Sequence, residues 1–469
     1  MGCPEGTSMR STTSTDSPFL AGAFAPVDEE VTAYDLPVSG TLPAALDGWY
    51  LRNGPNPLGF EDPAAHHWFL GDGMVHGVRL RDGRAAWYRN RWVRSRRAAQ
   101  RLGEQPPDSG VVDEFDFGAN THVIGHAGRL LALVEGGPRP YELTPDLETV
   151  GPCDLDGGLA DGFAAHTKRD PATGELHAVT YDLRRADEVA HVVVDREGRV
   201  VRRQPVAVTD GPMMHDFALT ERYVVLYDLP VTFSADAPAG SYPYAWNPDH
   251  PARIGLLPRT GSASQIRWFD VEPCWVFHTV NAYEDGESVV VDVCRYPRMF
   301  DVSAFRSAAP PSLDRWRLHV ASGRATHERL HDRAQEFPRI DERRTAARHR
   351  FAYTMTAGEV ELFGVDGDLE DLDDRAFGNA VIKHDLATGA TQVHDFGRHA
   401  AVGEPVFVPA ADDAAEDDGW VLTFVHDPRR GATDLVVLAA QDLAGPPVAA
   451  VHLPVRVPLG FHGSWIPNR

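Results

Sequence analysis

The stretch HVVVDREGRVVRRQPV, His191–Val206, consists of two runs rich in valine joined by a short Asp/Gly-containing turn. β-Branched residues favour strands, and a glycine-containing turn between two such runs is typical of a β-hairpin. Six further stretches have a similar form, although one of them lacks a glycine in its turn, and their turn centres lie near residues 83, 146, 271, 323, 388 and 442. A single stretch of this kind is weak evidence for a fold, but seven together are informative.

The seven turns recur at loosely regular intervals. Counting the turn near residue 197, successive centres are 63, 51, 74, 52, 65 and 54 residues apart. Each interval has room for about four short strands, and repeated four-stranded sheets arranged around an axis form a β-propeller. The sequence therefore predicts an all-β fold, a seven-bladed β-propeller. A large irregular β-sandwich is the alternative.

Composition and charge limit the class of protein and its compartment. Arginine and lysine number 45 against 68 acidic residues, so the net charge is −23, which argues against a nucleic-acid partner. The four cysteines include no C-x-x-C pair, as is typical of a reducing compartment, and the first residues do not resemble a signal peptide. We predict a cytoplasmic protein. Residues 1–34 are expected to form a flexible tail, and residues 35–469 a single propeller domain.

The stretch HERLH, His327–His331, matches a zinc-protease pattern. That pattern binds metal only on a helix, where both imidazoles lie on one face. Here it falls on the second strand of a predicted hairpin. We therefore predict that His327 and His331 do not form a metal site.

Four other histidines share a different setting, each directly after small or apolar residues. They occur in GFAAHTK, PMMHDF, CWVFHTV and LGFHGSW, as His166, His215, His278 and His462. One such histidine is usually a buried core residue. Four on separate predicted blades favour a shared site, because a propeller brings the inner strands of all blades to one axis. Neutral imidazoles suit Fe(II), Cu, Ni or Zn, so ligand type leaves the metal open.

Three glutamates stand in apolar runs, where a solvent-exposed carboxylate is unusual. They are Glu135 in LLALVEGG, Glu336 in AQEFPRID and Glu404 in VGEPVFVP. Imidazoles that bind a metal commonly donate their other N–H to a carboxylate, which fixes the tautomer. The four histidines and three glutamates together form a coherent candidate metal site.

Several motifs, in order from about residue 35 to the C-terminus, resemble the carotenoid cleavage oxygenase family: GWYLRNGPNP, HWFLGDGMVHGVRL, ANTHVIGHAGRLLALVEGG, AHTKRDPATGELH, MHDFALTERYVVLYDLP, FHTVNAYEDG, EFPRID, GEPVFVP and GFHGSWIP. The resemblance implies a seven-bladed propeller with a small helical and loop cap over an axial metal site, and one non-haem Fe(II) per chain.

The same resemblance assigns roles to residues of this chain. His166, His215, His278 and His462 match the family's iron ligands, and Glu135, Glu336 and Glu404 match carboxylates that support three of them. The sequence does not show which glutamate meets which histidine. Thr121 matches a position whose methyl group lies against the open side of the iron.

The resemblance implies oxidative cleavage of a conjugated C=C bond by O2, giving two carbonyl products. Relatives that cleave phenolic stilbenes commonly grip the phenol with a Lys and a Tyr, where this chain has Val134 and Trp92. We therefore expect a carotenoid or apocarotenoid substrate, with a stilbene as the alternative. An isomerase or hydrolase using the same metal and a non-catalytic binding scaffold also remain open.

The resemblance also bears on partners. The loop after His215, LPVTFSADAPAGSYPYAW, is polar and aromatic where relatives often carry a leucine-rich membrane patch. We expect at most weak peripheral contact with a membrane. Nothing in the sequence implies a protein partner.

Overall fold

Seven sheets follow one another along the chain and form the blades of a propeller. The computed structural model describes residues 17–60, 62–111, 115–159, 161–236, 242–300, 309–358 and 378–468. Each of the seven sheets has at least four strands, and every strand pair within them is antiparallel. The first strands of several neighbouring blades contact one another, which places them around the axis. The predicted seven-bladed β-propeller is confirmed.

Blade 1 contains strands from both ends of the described chain, whereas blades 2 and 3 are each continuous in sequence. Blade 1 consists of β1 (Thr32–Tyr34), β3 (Gly48–Pro55), β4 (Gly73–Arg81), β5 (Arg84–Trp92) and β33 (Gly463–Pro467). Blade 2 consists of β6 (His122–His126), β7 (Arg129–Leu133), β8 (Tyr141–Leu143) and β9 (Thr149–Pro152). Blade 3 consists of β10 (Thr167–Arg169), β11 (Leu176–Asp182), β12 (Arg185–Val194) and β13 (Val200–Ala207).

The next two blades are continuous in sequence apart from one excursion. Blade 4 consists of β14 (Ala218–Leu219), β15 (Tyr223–Asp228), β18 (Arg253–Pro258) and β19 (Arg267–Asp270). The excursion between β15 and β18 forms a separate hairpin of β16 (Val231–Phe233) and β17 (Tyr244–Trp246). Blade 5 consists of β20 (Trp275–Asp285), β21 (Ser288–Tyr296), β22 (Ser312–His319) and β23 (Arg324–His331).

The last two blades complete the ring. Blade 6 consists of β24 (Gln335–Arg339), β25 (Phe351–Thr356), β26 (Ala380–Asp385) and β27 (Ala390–Asp395). Blade 7 consists of β2 (Val38–Gly40), β28 (Ala401–Val402), β29 (Val406–Pro409), β30 (Gly419–Asp427), β31 (Ala432–Ala439) and β32 (Ala449–His452).

The ring closes within blade 1, where β33 pairs with β3 from Gly48↔Pro467 to Arg52↔Gly463. The backbones approach closely at this seam: a Cβ on Gly48 would lie 2.4 Å from the Ile466 carbonyl oxygen. The pairing places His462, the residue before β33, beside the first blade.

Six of the seven predicted hairpins join the third and fourth strands of a blade. The prediction of a hairpin near residue 271 is wrong, because β19 belongs to blade 4 and β20 to blade 5, so the segment between them crosses from one blade to the next. The hairpin of blade 4 is β18–β19 instead. Its connection, residues 259–266, is longer than the predicted turns: a turn closed by the Gly261 N–H on the Pro258 carbonyl is followed by a 3-10 turn over Ala263–Gln265, which Ser262 and Gln265 close with a reciprocal capping box.

A cap of short elements covers one end of the axis. It contains the one α-helix of the described residues, α1 (Arg96–Leu102), and 3-10 turns over Pro63–Ala65 and Trp68–Leu70. Residues 17–34, which were expected in the flexible tail, include 3-10 turns and strand β1, and Phe19 packs against Trp68. Packed structure thus begins before the predicted boundary at residue 35. Residues 1–16 lie outside the described part of the chain.

The hydrophobic core lies between adjacent blades. Blade strands are buried on both faces, as in β21, all nine of whose residues are buried. Cys153, Cys274 and Cys294 are free thiols in buried positions. Within the described residues, every helix is too short or too polar to span a membrane.

Candidate metal centre

The four predicted histidines all lie where the first strand of a blade begins. His166 and His462 come directly before β10 and β33, His215 lies three residues before β14, and His278 is near the start of β20. Because these strands surround the axis, their starting ends bring the four side chains together. All four are buried or nearly so.

The four imidazoles converge through their Nε2 atoms. The Nε2–Nε2 distance is 3.0 Å from His166 to His215, 3.4 Å from His215 to His278 and 3.2 Å from His278 to His462. One ligand atom from each histidine lies within 4.8 Å of the others. Two nitrogens that are each about 2.1 Å from one ion and at right angles are about 3.0 Å apart, so the spacing suits a single metal ion.

The three predicted glutamates contact the opposite nitrogen, Nδ1, of three of these rings. Glu135 Oε1 lies 2.7 Å from His215 Nδ1, and Glu404 Oε1 lies 2.9 Å from His462 Nδ1. Glu336 Oε2 makes a short contact with His278 Nδ1. A proton on each Nδ1 satisfies these carboxylates and leaves the Nε2 lone pairs directed at one another.

That arrangement is electrostatically incomplete without a cation. Burial, and after it the neighbouring imidazoles, holds the pKa of His166 well below its usual value. Burial likewise lowers the pKa of His462, despite the opposing effect of Glu404. Nε2 lone pairs that face one another at these distances repel, whereas a divalent cation between them is attracted to all of them. The donor set therefore fits a metal ion.

Glu404 is fixed by a second charge. Arg339 Nη1 donates to Glu404 Oε2 over 3.1 Å and to the Gly463 carbonyl over 2.9 Å. Burial alone would raise the pKa of Glu404, but Arg339 and His462 hold it well below its usual value. A buried carboxylate kept ionised in this way keeps accepting the His462 N–H.

Thr121 lines the cavity above the histidines. Its hydroxyl donates to Asn120 Oδ1 over 3.0 Å, and the Asn120 amide donates in turn to the carbonyls of Phe69 and Gly71. The Thr121 carbonyl accepts the backbone N–H of His462 over 3.0 Å. Thr121 is thus held through both its hydroxyl and its backbone.

Sequence reasoning missed two polar residues that connect the histidine segments. Asp216 is buried, accepts the Thr279 N–H over 2.8 Å and pairs with Lys168 Nζ over 3.0 Å. Asp216 directly follows His215, and its two partners lie one and two residues after His278 and His166. It therefore links the chain segments that carry these three histidines. The sequence signal for Asp216 was its position next to His215 in an apolar run, MHDF. Its partners could be identified only from the order of the strands in the folded protein.

The second missed residue is His122, next to Thr121. Its Nδ1 lies 3.1 Å from the Ala165 carbonyl oxygen and its Nε2 lies 3.3 Å from the Gly463 carbonyl oxygen. Its ring centroid is 5.3 Å from that of His462. His122 therefore supports the backbone beside two of the four converging histidines.

A cavity of about 380 Å³ opens from the histidines into the cap. Its lining is mainly aromatic and aliphatic and includes four tyrosines: Tyr181, Tyr242, Tyr244 and Tyr296. Burial raises the pKa of each of these phenols well above its usual value, so they are neutral. A cavity of this size and character suits an apolar ligand with few polar groups.

Val134 lines this cavity, whereas Trp92 lies outside its lining. The Trp92 indole instead donates to the Asn56 carbonyl over 2.8 Å. Trp92 therefore does not contact a ligand in this cavity directly, and its bearing on phenol binding stays a prediction.

The HERLH stretch lies on strand β23, as predicted. His327 Nε2 is 2.6 Å from Asp314 Oδ2, and His331 Nδ1 accepts the Arg333 N–H. The imidazoles of His327 and His331 therefore contact different groups and do not share a partner.

The match to known proteins extends over nearly the whole chain. The family model described as retinal pigment epithelial membrane protein, RPE65, matches residues 24–467. The chain belongs to that family. The carotenoid cleavage oxygenase of Mycobacterium tuberculosis is 45% identical, over 96% of this chain and 98% of the relative. The predicted membership of the carotenoid oxygenase family is therefore confirmed.

Solved structures of the carotenoid oxygenase family have the same fold. A cobalt-substituted Synechocystis apocarotenoid oxygenase superposes with a TM-score of 0.82 at 28% identity, covering 94% of this chain and 97% of that one. The Pseudomonas brassicacearum lignostilbene dioxygenase gives 0.83 at 29% identity, covering 96% and 99%. These relatives are oxygenases, in agreement with the predicted enzyme class.

Proposed function

We propose that this chain is a non-haem Fe(II) dioxygenase that cleaves a conjugated C=C bond of a carotenoid or apocarotenoid with O2. The observation that carries the proposal is the convergence of four Nε2 atoms, with three of the four rings held at Nδ1 by carboxylates. One C=C bond and one O2 give two carbonyl groups. The reaction thus balances without a reductant.

In this proposal His166, His215, His278 and His462 hold one Fe(II) ion, which supplies the activation of O2. Four neutral ligands leave the charge of the ion uncompensated among the atoms that bind it. The carboxylates beside three of the rings keep the proton on Nδ1 and orient each imidazole.

The cavity positions the substrate and keeps water away from it. The Phe337 ring lies tilted against the rings of His278 and His462, with centroid distances of 5.0 and 5.1 Å, and both Phe337 and Phe277 line the cavity. A polyene in this space exchanges water for aromatic contacts, which stabilises it by about 25 cal/mol per Å² of buried apolar surface. With its hydroxyl bonded to Asn120, Thr121 contributes its methyl group to this apolar surface.

Metal content and products test the proposal. Purified protein should bind about one Fe(II) per chain, consume O2 with an apocarotenoid and release two carbonyl products that mass spectrometry identifies. His462→Ala should lose most of the iron, whereas His327→Ala, in the HERLH strand, should retain it. Full iron content in His462→Ala contradicts the proposed ligand set. Turnover without O2 uptake contradicts the dioxygenase and favours an isomerase or hydrolase.

A phenolic stilbene is the second candidate substrate. The hydroxyls of Tyr181, Tyr242 and Tyr244 favour it, since buried hydroxyls can pair with a phenol. Val134 favours an apocarotenoid, because an apolar residue at the position where stilbene-cleaving relatives place a lysine leaves a phenol without that partner. An unpaired buried hydroxyl costs about 1–3 kcal/mol.

We expect a higher kcat/KM for an apocarotenoid than for resveratrol. Both substrates should be compared on one iron-loaded preparation, with detergent to disperse the polyene. Val134→Lys should shift the ratio towards resveratrol, roughly tenfold if the new ammonium pairs with the phenol. Faster turnover of resveratrol by the wild type would reverse the assignment.

A further inference from the structure

The cavity has one permanently charged cation in its lining. Of the described residues that line it, Arg97 is the one lysine or arginine. Its side chain is 41% exposed, whereas the histidines of the same lining are buried or nearly so, so Arg97 lies in a part of the lining that solvent reaches. Arg97 lies on α1 in the cap.

Arg97 belongs to a cluster of three charged side chains. Asp72 is fully buried and pairs with two guanidinium groups. Arg97 Nε lies 3.1 Å from Asp72 Oδ1, and Arg101 Nη1 lies 3.4 Å from Asp72 Oδ2. One carboxylate cannot neutralise two guanidinium groups, so these three side chains together carry one net positive charge.

The geometry at Arg97 suits a carboxylate in particular. Its contact with Asp72 is made through Nε, while a guanidinium carries four more N–H donors on its two Nη atoms. Guanidinium groups bind carboxylates through two parallel hydrogen bonds. Since Arg97 is partly exposed, an anion can reach it without the full cost of burying a charge.

We propose that Arg97 binds a carboxylate at the end of the substrate, so that the preferred substrate is a polyene with an acidic end group. The proposal rests on the function proposed above. It places the acidic group at the open end of the cavity, with the apolar chain extending along the aromatic lining towards the four histidines.

A matched pair of probes tests the charge alone. All-trans-retinoic acid and its methyl ester share one polyene and differ in the carboxylate. Their dissociation constants can be measured by quenching of tryptophan fluorescence in the iron-loaded full chain without oxygen. The acid should bind on the order of fivefold more tightly, the contribution of a partly exposed ion pair. Arg97→Met should make the two constants equal, and Arg97→Lys should retain part of the preference.

Arg101→Met is the control, because Arg101 pairs with the same Asp72 but lies outside the cavity lining. It removes one positive charge from the same cluster but leaves the proposed contact with Arg97 in place, so it should keep most of the preference for the acid, whereas Arg97→Met should lose it. Equal binding of acid and ester by the wild type, or an unchanged ratio in Arg97→Met, would overturn the role of Arg97 and leave the proposed function intact. If neither probe binds the wild type, the cavity is not a polyene site and both proposals fail.

Discussion

Glu336 and Phe337 owe their positions to one backbone distortion. The pairing of β24 with β25 shifts register between Glu336 and Arg339, and Phe337 has a φ of 50°, in the left-handed region. A bulky residue rarely adopts this conformation, and its cost is on the order of 1–3 kcal/mol. The Phe337 N–H donates to Glu336 Oε2 over 2.7 Å. The distortion thus orients the carboxylate beside His278 and places an aromatic ring over the metal centre.

Glu336→Gln should lower kcat/KM by roughly 10- to 100-fold while the fold is retained, because the amide cannot hold the His278 proton as a carboxylate does. Steady-state kinetics and iron analysis on the same preparation measure the effect. Glu328→Gln, at an exposed position of β23, is the matched control and should behave as wild type. An unchanged kcat/KM in Glu336→Gln would show that the Glu336 carboxylate does not affect the function of the His278 imidazole.

At this scale the sequence identifies residues but not their partners. The four histidines and three glutamates could be selected because polar groups stood in apolar runs. The pairing of Glu135 with His215 could not be predicted, since the two residues are 80 positions apart and belong to blades 2 and 4. The sequence does not distinguish Arg339 from a surface arginine. Its role is seen only in the folded protein, where it donates to the Gly463 carbonyl of the last strand.

At the level of secondary-structure elements, the β16–β17 hairpin, which lies outside blade 4, brings Tyr242 and Tyr244 to the cavity. Its base is closed by His250, whose imidazole is fully buried between two carboxylates. Nε2 lies 2.9 Å from Asp228 Oδ1, and Nδ1 lies 2.9 Å from Asp210 Oδ2. Burial alone would lower the pKa of His250, but hydrogen bonds to Asp228 and Asp210 raise it above its usual value.

This raised pKa makes the hairpin base sensitive to pH. The stabilisation by protonated His250 is complete below about pH 6.5, the pKa of an unfolded histidine, and is lost as pH rises through the higher folded value. His250→Gln, which cannot become charged, should lower the free energy of unfolding by on the order of 2 kcal/mol at pH 6. The deficit should shrink at higher pH.

Urea unfolding of both proteins between pH 6 and pH 9 measures the difference. Arg253 also pairs with Asp228, over 2.8 Å, and keeps its charge throughout this range, so it cancels in the comparison. A deficit that grows with pH would mean that His250 is neutral in the folded protein.

For the whole molecule, local sequence predicted the number of blades but not how the ring is joined. Six third-to-fourth-strand hairpins could be found because their turns are short and contain Asp or Gly. The β18–β19 connection was missed because a 3-10 turn with a Ser262 capping box follows its Gly261 turn and makes the connection longer than the others. The β3–β33 pairing has no local signal, since its two strands lie at opposite ends of the described chain.

Gly48→Ala should weaken that seam. The added Cβ would meet the Ile466 carbonyl at 2.4 Å and the Trp465 ring at 2.6 Å, so the two strands must separate. We expect a loss of about 1–3 kcal/mol in the free energy of unfolding. Gly403→Ala is the matched control, because its Cβ would meet nothing closer than 3.5 Å. Equal stability of the two variants would show that the seam tolerates a side chain.

The seam also has a consequence for the lifetime of the folded protein. Its paired residues are 411 to 419 positions apart (463 − 52 and 467 − 48). Loop entropy grows slowly, by about 0.6 kcal/mol for each doubling of length, so closing the ring costs little at equilibrium. We nevertheless expect contacts at such separation to form late in folding, because the entropy of closing the loop must be lost before they can form. Interactions absent from the folding transition state act mainly on the unfolding rate. The short β33 strand therefore determines how long a closed propeller survives, more than how quickly one forms.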